Sequence, residues 1–135
     1  MTKRQVLFLC TGNSCRSQLA EAIVNARLGD RWQAVSAGTV PAGYVHPLAM
    51  AALAEIGIHH AGRSKLADEF RDVAFDVVVT VCDAAAEECP LWLGLGRRVH
   101  HSFPDPARTG DMADFRAVRD AIAREIPLLL EQMTA

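Results

Sequence analysis

VLFLCTGNSCRSQLAEA, residues 6–22, decides how this chain is read. Four apolar residues run up to Cys10, a Thr-Gly-Asn-Ser turn follows, and an amphipathic pattern begins at Arg16 and Ser17. An apolar run, then turn residues, then a helical period reads as a buried strand, a tight loop and a helix start. Such a loop can gather several backbone N–H groups around one point, and the helix N-terminus adds partial positive charge. The expected ligand is therefore an oxyanion. The same field drives a neighbouring thiol toward thiolate, which makes Cys10 a candidate nucleophile.

Length and charge set limits. The 135 residues, half of them hydrophobic, suffice for one domain (1–135) that buries its own core. Fourteen Lys and Arg against sixteen Asp and Glu give a net charge of −2, so the balance points to neither nucleic acid nor an anionic membrane. No apolar run approaches the roughly eighteen residues of a spanning helix, and Met-Thr-Lys-Arg leads into a strand rather than a cleavable leader. A cytoplasmic monomer is expected. The four cysteines are then expected as thiols, and a disulfide among them as transient and catalytic.

From that first unit the chain alternates. Strand 5–9 precedes a helix from Ser17 to about Leu28, stopped by Gly29; strand 32–38 precedes a helix from Pro47 to Ile56, closed by Gly57. FDVVVTVC, residues 75–82, is so continuously apolar and β-branched that it belongs in the centre of a parallel sheet. A weaker strand at 97–103, a Pro-Asp-Pro loop at 104–106 and a long C-terminal helix from Met112 to Met133 complete the order, with Pro127 expected to kink or divide that helix. The fold class is α/β: a doubly wound three-layer sandwich on a four-stranded parallel sheet, with its site beyond the carboxyl ends of the strands. Cys10 and Cys82 each end a buried strand. If those strands are neighbours, their Cα atoms lie on the order of 5 Å apart, within disulfide range, and Asp105 follows the fourth strand on the same edge.

Cys10-Thr11-Gly12-Asn13-Ser14-Cys15-Arg16-Ser17 has the Cys, five residues, Arg, Ser pattern of the phosphate loop of low-molecular-weight protein tyrosine phosphatases, and Asp105-Pro106 resembles their acid loop. Cys82-Asp83 with Cys89-Pro90, and His101-Ser102-Phe103-Pro104-Asp105-Pro106-Ala107, are similar to the thioredoxin-coupled arsenate reductases built on that fold. The resemblance spans essentially the whole chain.

It implies the following chemistry. Arsenate, nearly isosteric with phosphate, sits in the cradle of Thr11, Gly12, Asn13, Ser14 and Cys15 against a bidentate Arg16, with phosphate and sulfate as competing anions. Cys10 attacks, Ser17 hydrogen-bonds its thiolate, Asn13 braces the loop from a left-handed conformation, and Asp105 acts as general acid. Cys82 then attacks Cys10 and releases arsenite, Cys89 attacks Cys82, and thioredoxin reduces the last disulfide. No cofactor is implied. If 83–88 were a regular helix, positions 82 and 89 would lie roughly 10.5 Å apart, too far for a disulfide, so that segment is expected to be helical when reduced and looped out when oxidised.

Other readings compete at single residues. Cys15 reads as packing rather than a second nucleophile, and His100 and His101 lack metal-ligand spacing. A plain phosphomonoesterase needs Cys10, Arg16 and Asp105 but not Cys82 or Cys89; an arsenite-binding sensor needs neither Asp105 nor the cradle. Some family members hold a monovalent cation at positions equivalent to Asn13, Glu21, Ser36 and an acidic residue 65. Here residue 65 is Lys, and its ammonium is expected to take the cation's place and pair with Glu21.

Overall fold

The computed structural model describes residues 2–82 and 94–134. The expected helix at 83–88, Asp83, Cys89 and Pro90 lie outside them. The sheet has four parallel strands: β1 (Arg4–Cys10), β2 (Trp32–Gly38), β3 (Val77–Thr80) and β4 (Arg97–His100), in the spatial order β2-β1-β3-β4. Helix α1 (Arg16–Arg27) follows β1, α2 (Pro47–Glu55) follows β2, and α3 (Met112–Met133) closes the chain. The chain leaves β1 toward one edge and returns across it to β3, so the strand order reverses between β1 and β3. Ligands of open α/β sheets bind at that switch point, beyond the carboxyl ends.

Alternation within the strands decides the layers. Val6, Phe8, Val77 and Val79 face one cluster, shared with Leu19 and Ile23 of α1, Leu53 of α2 and Phe115, Ile122 and Ile126 of α3. Leu7, Leu9 and Val78 face the other, a smaller cluster covered by the 3₁₀ turn Ala67–Phe70. The sheet is thus covered on both faces, though unequally. β3 is shorter than the apolar run 75–82, because at its carboxyl end Val81 and Cys82 both join the larger cluster and the alternation is lost. β4 is also shorter than expected and largely exposed, as suits an edge strand, although His101 and Phe103 still donate to Thr80 O and Val81 O.

Pro127 does not divide α3, which runs unbroken from Met112 to Met133. A proline inside a helix costs about 3 kcal/mol. Ile122, Ile126 and Leu130, all fully buried around it, each return about 1.5–3 kcal/mol, so packing outweighs the lost hydrogen bond. Among the described residues no helix is long and apolar enough to cross a membrane.

An ion-pair cluster ties α2 to α3. Arg119 Nη1 donates to Ala52 O at 2.9 Å and to Glu55 Oε1 at 2.8 Å, while Arg116 Nη2 donates to Glu55 Oε2 at 2.7 Å. These bonds pull the Glu55 carboxyl down from 4.5 to about 2. A depressed carboxylate contributes stability that is present above pH 4.5 and lost as pH falls from there through 2. Urea unfolding across that range is expected to show a shallower acid loss in Glu55→Gln than in the native chain. The difference should shrink in high salt, because Glu55 is solvent-accessible.

Candidate active site

The loop at the switch point is held from outside. Thr11 O accepts from Val40 N at 3.0 Å, Gly12 O from Ala42 N at 2.8 Å and Ser64 Oγ at 3.0 Å, and Ser14 O from His46 N at 2.9 Å. With these carbonyls bonded outward, the loop is held in a turn of the kind that binds anions. Gly38, opposite Cys10 in the β1–β2 register, allows the close approach: a Cβ there would lie 2.3 Å from Thr11 O.

Cys10 is buried at the base. Its Sγ lies 2.8 Å from Ser17 Oγ and receives the Asn13 N–H at 3.2 Å. Asn13 has φ +50°, left-handed for a non-glycine residue, and its Nδ2 donates to Ser17 Oγ at 2.8 Å. α1 begins at Arg16 with no acidic residue in its first turn to offset its positive end. Arg16, itself buried, donates from Nη1 to Phe103 O at 3.2 Å. That bond joins the loop to the segment carrying Asp105, whose Oδ1 caps the turn Pro106–Arg108 by accepting from Ala107 N at 3.0 Å. Loop residues 10–16, Asp105 and Ala107 enclose a cavity of about 260 Å³, the scale of a small oxyanion with bound water. Burial pushes the Cys15 thiol up to about 11, so it stays protonated at neutral pH.

β1 and β3 pair from Val6↔Val77 to Leu9↔Thr80. One further step sets Cys10 beside Val81, with Cys82 one residue beyond. Their Cα atoms are then offset by one strand spacing and one residue rise, about 6 Å, still within disulfide range. Cys82 is disulfide-bonded, whereas Cys10 and Cys15 are free thiols.

Behind the loop stands a polar cluster that sequence reasoning assigned only in part. Glu21 Oε1 accepts from Ser36 Oγ at 2.9 Å and lies 3.5 Å from Lys65 Nζ, which donates to Arg63 O at 2.7 Å. The Lys65 backbone N–H donates to Asn13 Oδ1 at 2.8 Å. The ammonium thus lies between Glu21 Oε1 and Arg63 O, paired with Glu21 as its charge predicts. Gln18 and His60 were missed. Gln18 is fully buried and touches Asn13, Arg63 and His60, yet nothing in the sequence sets it apart from the other polar residues of α1, Ser17, Glu21 and Asn25. Burial lowers the His60 pKa against the opposing pull of Glu21, 3.5 Å away.

The family model for low molecular weight phosphotyrosine protein phosphatase matches residues 5–135. The chain belongs to this family. Within it, the chain is similar to an arsenate reductase of Halalkalibacterium halodurans, 42% identical over 97% of this chain and 98% of that one. An arsenate reductase structure from Archaeoglobus fulgidus superposes with a TM-score of 0.82 at 30% identity, covering 93% of this chain and 98% of that one. A thioredoxin-dependent arsenate reductase of Corynebacterium glutamicum gives a TM-score of 0.70 at 26% identity, over 98% of this chain and 62% of that one.

Two outcomes are expected of this low-molecular-weight phosphatase cradle. Gly38→Ala should weaken inorganic phosphate binding about tenfold or more by displacing Thr11, read by calorimetric titration. Melting temperature is expected to be the same in potassium and sodium chloride at equal ionic strength, because a bound ion would raise it and the Lys65 ammonium, paired with Glu21, is expected to take that ion's place.

Proposed function

We propose that this protein reduces arsenate to arsenite with electrons drawn through its own cysteines and returned by thioredoxin. The observation that carries this reading is the placement of Cys82 just past the end of β3, the strand paired with the one that ends in Cys10, while Cys10 itself lines the oxyanion-sized cavity. A phosphomonoesterase has no use for that second thiol. The similarity to arsenate reductases over nearly the whole chain supports the substrate, and the Corynebacterium neighbour supports the electron donor.

Arsenate enters with its oxygens on the loop N–H groups and Arg16, and the Cys10 thiolate attacks arsenic. A hydroxyl leaves as water, protonated by Asp105, and a Cys10–arsenic(V) thioester forms. Cys82 thiolate then attacks Cys10 Sγ. The sulfur–arsenic bond breaks with its electron pair going to arsenic, arsenite leaves, and a Cys10–Cys82 disulfide remains. Cys89 attacks Cys82 and frees Cys10 as thiolate; thioredoxin's dithiol reduces the resulting Cys82–Cys89 bond. Cys15, held protonated, takes no part.

Arsenate-dependent NADPH consumption with thioredoxin and thioredoxin reductase tests the relay. The native protein is expected to turn over repeatedly, and Cys89→Ser to stop after about one equivalent. No consumption by the native protein, together with cleavage of an aryl phosphate, would assign it to phosphomonoester hydrolysis instead.

A further inference from the structure

Donors and acceptors behind the loop fix the direction of a whole series of hydrogen bonds. Gln18 Nε2 lies 3.1 Å from Asn13 O, 3.1 Å from Asn13 Oδ1 and 2.8 Å from Arg63 O. Backbone oxygens only accept, so the Gln18 amide must turn its nitrogen toward the loop and its oxygen toward His60. Asn13 is fixed independently, because its Oδ1 also takes the Lys65 backbone N–H at 2.8 Å, which leaves Nδ2 to donate to Ser17 Oγ at 2.8 Å. Ser17 Oγ, which accepts there, lies 2.8 Å from Cys10 Sγ, and to a Cys10 thiolate it can only donate. At the far end Gln18 Oε1 can only accept, so His60 Nε2, at 2.7 Å, carries a hydrogen. With Cys10 as thiolate, every hydrogen in the series points toward the sulfur.

Gly62 makes the far end possible. A Cβ there would lie 2.1 Å from His60 Nε2 and 2.5 Å from Gln18 Oε1. Gly62 is not among the positive-φ glycines, so this glycine serves space rather than backbone conformation. The charged groups facing His60 are Glu21, whose Oε2 lies 3.5 Å from the same Nε2, and behind it Lys65, 3.5 Å from Glu21 Oε1.

We propose that His60 and Gln18 are positioning residues for Cys10: the aligned series from His60 through Gln18, Asn13 and Ser17 holds the loop's left-handed turn and presents the Ser17 hydrogen to the sulfur. Aligned hydrogen bonds polarise one another, so a donor lost at one end weakens the last bond as well. The inference rests on Cys10 being the nucleophile, as proposed above, and needs neither arsenate nor the relay.

The test is the rate at which iodoacetamide alkylates Cys10 at neutral pH in the reduced full chain, read residue by residue through peptide mass spectrometry, with melting temperature recorded alongside. His60→Leu removes the donor, His60→Gln restores an N–H at a similar reach, and Gly62→Ala displaces the ring while leaving every residue of the series unsubstituted. His60→Leu and Gly62→Ala are expected to slow Cys10 about fivefold, the equivalent of one hydrogen bond, with His60→Gln within about twofold of native. Native Cys10 rates in Gly62→Ala and His60→Leu, with only the melting temperatures lowered, would overturn the inference and leave these residues a packing role. Should His60→Leu fail to fold, Gly62→Ala against His60→Gln decides on the same criterion. Native Cys10 reacting no faster than Cys15 would overturn the nucleophile assignment itself, and the inference with it.

Discussion

A concave ring of N–H groups can exist only if the carbonyls of the same residues find donors on the convex side. An unpaired buried carbonyl costs as much as a hydrogen bond gains, and a loop with several would flip its peptides to satisfy them. Here the donors come from three distant places: the segment after β2 supplies Val40, Ala42 and His46, the 60s segment supplies Ser64, and α1 supplies Gln18 to Asn13 O. The shape of the loop is therefore a tertiary property, and so are the position of Cys10 and the charge it faces.

The two cysteines of the loop sit in different surroundings. Cys10 receives a hydroxyl contact and a backbone N–H, whereas Cys15, five residues on, is buried with a single side-chain hydrogen bond and pushed up to about 11. Arg16 adds a mechanical link, since its bond to Phe103 O ties the anion loop to the segment that ends in Asp105. Strand order adds the last constraint. With β3 beside β1, the end of the apolar run that carries Cys82 falls next to Cys10; a sheet with β2 between them would separate the thiols by two strand spacings, roughly 10 Å, and forbid a direct disulfide.

Some of this was legible in the chain. The helix from Pro47 and the strand 32–38 were readable because proline, glycine and hydrophobic period all marked the same boundaries. β3 was overestimated, since a purely apolar run carries no signal for where its pleat ends, and division of the last helix at Pro127 did not follow, since local propensity says nothing of the core that the helix buries. The pairing of Lys65 with Glu21 was foreseeable from charge. The part played by Gln18 and His60 was not, because their partners lie 42 residues apart in the chain.

What the sequence by itself determined was local and chemical: a thiol at a strand end, a turn able to curl around an anion, an arginine at the helix start, an acid after the last strand, and the alternation that makes a parallel sheet. Each follows from residue type and spacing over a few positions. Only the tertiary structure decided which strands are neighbours, which carbonyls bind outward, which way each amide and hydroxyl points, and that a glycine at 62 leaves room for an imidazole. Those depend on distances between residues that the chain brings together last, and no local pattern encodes them.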